Sequence, residues 1–291
     1  MRITRIAVTL AVPALLIGSL AACGSSAKSA AGAAGAAATG GGGAGAPALP
    51  DLGPKGELVA AAAVMQQAGS ADISISSPDG SSGSGSGVYA WGAKPVLDLS
   101  EQQSGKAIKF RMAGGSSYLG VDNTQAAALG GKHWIDLSTA AGGIGDPFTA
   151  LAVLMDPTAE LTVAAQHGTL SKVGAEQVAG SSTTHYRSSM PAQDLVDQLP
   201  NLTDAQRKAA MQVATDGGAT LITDFWVDGK HQLLQMREQN TDGSSPSSDG
   251  SAANASTIAY SNLGVKVGVS APAASDQADP ADAAKLLSSL N

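Results

Sequence analysis

Ala219-Thr220-Leu221-Ile222-Thr223-Asp224-Phe225-Trp226-Val227-Asp228-Gly229-Lys230-His231-Gln232-Leu233-Leu234-Gln235-Met236-Arg237-Glu238-Gln239-Asn240 reads as a β-hairpin. Residues 219–227 and 230–240 are the two predicted strands, and Asp228-Gly229 is the turn between them. Asp-Gly suits a two-residue hairpin loop because both positions tolerate positive φ. An antiparallel pair of this length needs further strands and a covering layer before it is stable.

Outward toward the N-terminus, Thr203 and Gln206 form a capping box for a helix that Gly217-Gly218 terminates. Pro191 opens another helix carrying Leu195, Val196 and Leu199. Strands are predicted over 169–178 and 182–190, joined by a tight Ala179-Gly180 turn. Before them lies a helical block. Asp146-Pro147 reads as N-cap and first-turn proline, followed by the stripe Phe148, Leu151, Ala152 and Met155. Asp156-Pro157 repeats the signal for a helix with Leu161, Ala164 and Ala165 on one side, ended by Gly168.

Earlier still, strand-like pieces recur over 88–91, 95–100, 107–112, 117–121 and 133–137. In the third, Ile108, Phe110 and Met112 face one way and Lys109 and Arg111 the other. Short connections favour antiparallel neighbours. Residues 57–68 read as a helix with Leu58, Ala61, Ala62 and Met65 on one face and Gly69 as its stop. Ile73 and Ile75 alternate with polar residues in a first strand; Pro78-Asp79-Gly80 turns the chain, and 81–87 reads as a soft loop. Beyond the opening hairpin come a polar loop over 241–251, a last strand over 256–260, and a short helix from Asp279-Pro280 with Leu286, Leu287 and Leu290. The pattern is α+β: an antiparallel sheet with helices on one face.

Composition narrows the function. Of 291 residues only 3% are aromatic and 14% charged, with 36 glycines, so the core is built from aliphatic side chains and alanine. The net charge is −7, and it becomes −9 without residues 1–22, which contain Arg2 and Arg5 but no acid. An acidic domain lacks the basic footprint of a nucleic-acid binder, so no nucleic-acid partner is expected.

The N-terminal segment reads as an address. Arg2 and Arg5 precede an apolar run over 6–16 that is short for a membrane span. Leu20-Ala21-Ala22-Cys23 follows, with the only cysteine of the chain. It resembles the lipobox of bacterial lipoproteins, which implies cleavage before Cys23, a diacylglycerol on its thiol and a place on the outer face of the cytoplasmic membrane. Two acyl chains on one residue make a durable anchor. The expected organisation is a signal peptide over 1–22, a Gly/Ala/Ser tether over 23–55 and one domain over 56–291. The tether is too poor in bulky side chains to offset its ordering entropy.

Constellations that carry chemistry are missing from the sequence. Gly40, Gly42 and Gly45 match a dinucleotide-binding spacing, but no strand precedes them and no helix follows. His133, His167, His185 and His231 lack metal-ligand spacing, and no G-x-S-x-G elbow occurs. No cofactor, metal site or catalytic residue is expected, and the protein is not expected to be an enzyme.

Several motifs together resemble a family. They are Gly174 to Tyr186 (GAEQVAGSSTTHY), Phe225-Trp226-Val227-Asp228 with Leu233-Leu234, Tyr260-Ser261-Asn262-Leu263-Gly264 with Ala271-Pro272, and Lys132-His133-Trp134-Ile135. In this order behind a lipobox they resemble the LppX/LprG-type lipoproteins of actinobacteria, over roughly residues 56–280. That family is similar to LolA and RseB/MucB. The resemblance implies a strongly curved antiparallel sheet, a half-open barrel, with helices covering its concave face. It also implies a space for the acyl chains of a lipid or lipoglycan. The apolar residues placed against that space are Ile108, Phe110, Met112, Leu119, Ile135, Leu151, Met155, Leu195, Leu221 and Phe225. They make either a filled core or a partly hollow one. The two roles that follow are lipid carriage and an RseB-like role binding another envelope protein.

Overall fold

The computed structural model describes residues 52–76, 84–103, 106–139, 145–200, 202–215, 217–241 and 255–289. The signal segment, Cys23 and the expected tether up to residue 51 lie outside these residues, whereas Gly53–Lys55, expected in the tether, already belong to the first helix.

In chain order, α1 (Gly53–Ala68) leads to β1 (Ser70–Ser76), β2 (Ser84–Ala90), β3 (Val96–Gln103), β4 (Lys106–Ala113) and β5 (Ser116–Gly120). A short α2 (Asn123–Ala128) precedes β6 (Trp134–Asp136). Two helices follow, α3 (Gly145–Leu154) and α4 (Pro157–His167), and then β7 (Thr169–Val178) and β8 (Ser181–Pro191). Next come α5 (Ala192–Gln198), α6 (Asp204–Ala214), β9 (Thr220–Asp228), β10 (Leu233–Thr241), β11 (Ser256–Ser261) and α7 (Pro280–Ser289).

The strands form one antiparallel sheet of order β6-β5-β4-β3-β2-β1-β11-β10-β9-β8-β7. The two hairpin series meet where β1 pairs with β11, with Ile73 opposite Tyr260 and Ile75 opposite Ile258. The sheet is open, with β6 and β7 as its edges. It is also curved. Nine strand spacings separate β6 from β8, about 43 Å in a flat sheet. Yet Ile135 of β6 and Tyr186 of β8 belong to the same packed cluster, which also takes in Leu58 and Met65 of α1 and Leu161 and Ala164 of α4. A second cluster joins Ala150 and Leu154 of α3 to Leu195, Val196, Ala210 and Leu221.

Local signals place most elements. The buried residues of α1 are Leu58, Ala61, Ala62 and Met65, and Gly69 ends the helix at φ 66° with its N–H on the Met65 carbonyl. Asp156 caps α4 by accepting the Thr158 and Ala159 N–H groups, and Thr203 and Gln206 close the expected capping box on α6. Ala179 and Gly180 turn β7 into β8 at φ 50° and 81°, the positive angles of a tight hairpin loop.

Several boundaries differ from the sequence reading. β2 starts at Ser84, inside the expected loop. Its Gly85 and Gly87 are there for closeness: a Cβ on Gly87 would lie 2.0 Å from the Asp98 carbonyl oxygen of β3. The opening hairpin has a longer loop, since β10 begins only at Leu233. The Asp228 carboxylate accepts the Lys230 and Gln232 N–H groups, both at 2.8 Å, and so holds that loop itself. Asp146 sits in the first turn of α3 rather than at its N-cap. Helix α2, unforeseen, is started by an Asp122/Gln125 capping box.

After β11 the chain returns across the outer face of the sheet. The Ser70 hydroxyl donates to the Val265 carbonyl at 2.7 Å, and Arg111 of β4 donates to the Ser270 carbonyl at 3.3 Å. The Arg111 guanidinium lies 4.6 Å over the Trp134 ring. His133 N–H donates to the Asp276 carboxylate, and the Ala278 N–H to the Trp134 carbonyl. This strap covers the short edge strand β6, which would otherwise offer unpaired backbone groups.

Candidate functional site

The inner face of the sheet and the helices above it make the layer in which the sequence places a ligand. Pairing aligns Leu99, Phe110, Leu119 and Ile135 across β3 to β6. Phe110, Met112, Ile135, Met155 and Phe225 are buried in the main cluster, and Leu119 packs at its margin. Ile108 is half-buried at the strand end. Leu195 and Leu221 lie in the second cluster. Leu151 stands apart: it is 44% exposed. Its helix runs between the two clusters, with Phe148 and Ala152 turned to the main one and Ala150 and Leu154 to the other. Leu151 is left on the face between them that meets solvent.

The layer is closed by specific contacts. Phe148 of α3 stacks on Phe110 of β4 with centroids 5.3 Å apart. The Tyr89 hydroxyl donates to the Ala152 carbonyl at 2.6 Å, and the Ser117 and Thr149 hydroxyls lie 3.2 Å apart. These contacts tie α3 to β2, β4 and β5.

The same inner face carries a polar group of residues that the sequence reading missed. Glu160 of α4 is fully buried. Its carboxyl pKa is pushed well up by burial, then by the charge and hydrogen bonding of Glu238 on β10 and by the charge of Asp156. Burial pushes Glu238 itself up to about 7. Glu160 and Glu238 hydrogen-bond to each other, and no other protein group reaches either Glu160 oxygen or Glu238 Oε1. Ser188, Thr223 and Glu238 are in register across β8, β9 and β10, and the Ser188 and Thr223 hydroxyls are unpartnered and buried. The Tyr260 hydroxyl on β11 completes the group, unpartnered and with its pKa raised by burial and by Glu238, Tyr89, Glu160 and Asp156. A signal was present: Glu238 alternates with Met236, and Glu160 lies one turn from Asp156 beside Leu161.

Two clefts adjoin this layer. The larger, about 410 Å³, lies at the start of α4 between Trp91, Gln66, Asp156, Thr162, Gln166 and Gln198. The smaller, about 180 Å³, is lined by Ser117, Leu137, Asp146, Thr149 and Gln206. None of the ten apolar residues named from the sequence lines either cleft.

The outer face carries a set of paired charges. Asp224 of β9, whose side chain is 1% exposed, takes His185 Nε2 at 2.7 Å, Arg187 Nε at 2.7 Å and Arg237 Nη2 at 2.6 Å. Burial opposes its ionisation, but these three donors hold it well below the usual carboxylate range. Trp226 stacks on His185 at 4.4 Å and donates its indole N–H to Glu176 at 2.6 Å. Trp226 is thus buried on the outer side, with the partner its N–H needs. Among the described residues no group of three or more metal-ligating side chains converges.

No protein-family model matches the chain. It is 32% identical over 209 residues to an uncharacterised 31.2 kDa protein of Streptomyces griseus from the rplA–rplJ intergenic region. The match covers 69% of this chain and 65% of that relative, slightly under two thirds of its length. Among solved structures the chain is similar to LprF of Mycobacterium bovis, with TM-score 0.47 and 12% identity over 76% of this chain and 97% of that one. It is also similar to the lipoprotein LppX of Mycobacterium tuberculosis, with TM-score 0.44 and 14% identity over 73% and 97%.

Proposed function

We propose that the protein is an extracytoplasmic lipoprotein, anchored through Cys23, that holds an acyl chain between its sheet and its helices without chemistry. The observation that carries this reading is the continuous apolar layer between Phe110, Met112 and Ile135 of the sheet and Phe148, Ala152 and Met155 of the helical side. The sheet bounding it is open and curved. The chain enters by displacing α3, whose ties to the sheet are one ring stack and a few hydrogen bonds. Burial of each CH₂ contributes about 0.8 kcal/mol. A dozen methylenes therefore offset both the ordering cost and the loss of those ties.

The test is titration of full-length protein in detergent with a fluorescent acyl lipid, alongside metabolic labelling with a fatty-acid analogue. Saturable binding that Ala152→Trp weakens fits the reading, because Ala152 is fully buried in the layer. Labelling must vanish in Cys23→Ala. A second reading is an RseB-like one, in which the domain binds another envelope protein. The closely packed inner layer favours it. Failure of every lipid class to bind would move the choice there.

A further inference from the structure

The acids of the inner layer lack a cation. Among the described residues Asp156, Glu160 and Glu238 form no ion pair. Asp156 lies on the wall of the 410 Å³ cleft, at the start of α4. Glu160 is one helical turn behind it, and Glu238 faces Glu160 from β10. Of the three only Asp156 lines the cleft; Glu160 and Glu238 lie behind it, in the interior.

Independent features point to a ligand there. Glu160 and Glu238 have only each other's carboxyl as a side-chain partner, and the Tyr260 hydroxyl is buried without one, Tyr260 being only 3% exposed. Unmet buried acceptors of this kind call for a donor. The cleft adds the Trp91 ring, whose N–H is already given to the Met65 carbonyl at 3.1 Å. A ring face beside carboxylates attracts a cation. No Lys or Arg lines the cleft. The partial positive charge at the start of α4 is met by Asp156 itself, which caps it.

We propose that this cleft and the acids behind it bind a ligand through a primary ammonium group. The three N–H donors of such a group match these oxygens, whereas a quaternary ammonium has none to give. An anionic headgroup would add repulsion from three carboxyls. The ammonium can belong to a free amine or to the ethanolamine headgroup of a lipid. The proposal does not depend on the acyl-chain reading.

Binding must compete with protons. The groups facing the ammonium are Asp156 and Glu160 of α4, Glu238 of β10, and the hydroxyls of Tyr89 on β2 and Tyr260 on β11. Burial raises the carboxyl pKa values of all three acids. A cation that ionises them releases protons and binds more tightly as pH rises.

The experiment is calorimetric titration of the full-length protein in neutral detergent micelles. The probes are ethanolamine, spermidine, dihexanoyl phosphatidylethanolamine and dihexanoyl phosphatidylglycerol. Saturable binding of an amine probe is expected, with an enthalpy that varies with buffer ionisation and an affinity at least tenfold higher at pH 8 than at pH 6. Glu160→Gln and Asp156→Asn should each weaken it tenfold or more while thermal melts show a folded protein; asparagine keeps the helix cap. Binding of the free amines assigns a soluble ligand, and binding of phosphatidylethanolamine alone assigns a headgroup. Silence of every amine probe overturns the proposal, as does binding that Glu160→Gln leaves unchanged. Equal binding of phosphatidylglycerol overturns it while leaving the acyl-chain reading intact.

Discussion

Replacing Glu238 by glutamine should make the protein's stability less dependent on pH. In the folded state burial raises this carboxyl from 4.5 to about 7. The native protein therefore keeps a proton that the unfolded chain gives up above about pH 4.5. Stability falls wherever the native state binds more protons than the unfolded one. The fall begins near the unfolded pKa, continues as pH rises to the folded one, and is complete above it. A displacement from 4.5 to about 7 corresponds to roughly 3 kcal/mol at about 1.4 kcal/mol per pH unit. Glutamine has the shape of the protonated acid and never ionises. Glu238→Gln should therefore match wild type near pH 4.5 and exceed it by about 3 kcal/mol at pH 8. Removing the Glu238 charge also relieves Glu160, which shifts in the same direction. His185, with its raised pKa, also favours lower pH, but both proteins share it and the difference between them cancels it. Urea melts at pH 4.5, 6, 7 and 8 provide the measurement. Parallel stability curves for variant and wild type across this window would refute the placement of Glu238 as a buried acid without a cation.

Asp224→Ala should destabilise the fold by about 3 kcal/mol in thermal or urea melts, because it removes the buried carboxylate on which two guanidiniums meet. The same change should lower the His185 pKa in an NMR titration, since the first of the influences raising it is its hydrogen bond to Asp224. Gly87→Ala should lower the melting temperature sharply or prevent folding, as its Cβ would meet the Asp98 backbone at 2.0 Å. A variant that melts with wild type would mean β2 and β3 do not approach as described.

Elements whose cause lies within a few residues were legible in the sequence. The α1 stripe of Leu58, Ala61, Ala62 and Met65 repeats with the helical period, and those four residues are the buried ones. The Thr203/Gln206 box, the Asp156 cap and the Ala179-Gly180 turn satisfy backbone groups three or fewer positions away. The apolar alternation of β4 likewise told its inner side from its outer side: Phe110 and Met112 are buried in the core.

Tertiary structure decided what depends on which surfaces meet. Leu151 belongs to the same stripe as Phe148 and Ala152, yet it faces solvent because α3 is shared between two clusters. The glycines of β2 have the composition of a loop, and only the close approach of β3 makes them strand residues. β1 and β11 lie nearly two hundred residues apart in sequence, and no local rule pairs Ile73 with Tyr260. Glu160 and Glu238 were ordinary charged residues until α4 packed over β10 and removed both from water. By itself the sequence determined periodicity, caps and turns, because each is set by neighbours along the chain. The packed inner layer and its buried acids came only with the fold, because desolvation is a property of assembled surfaces.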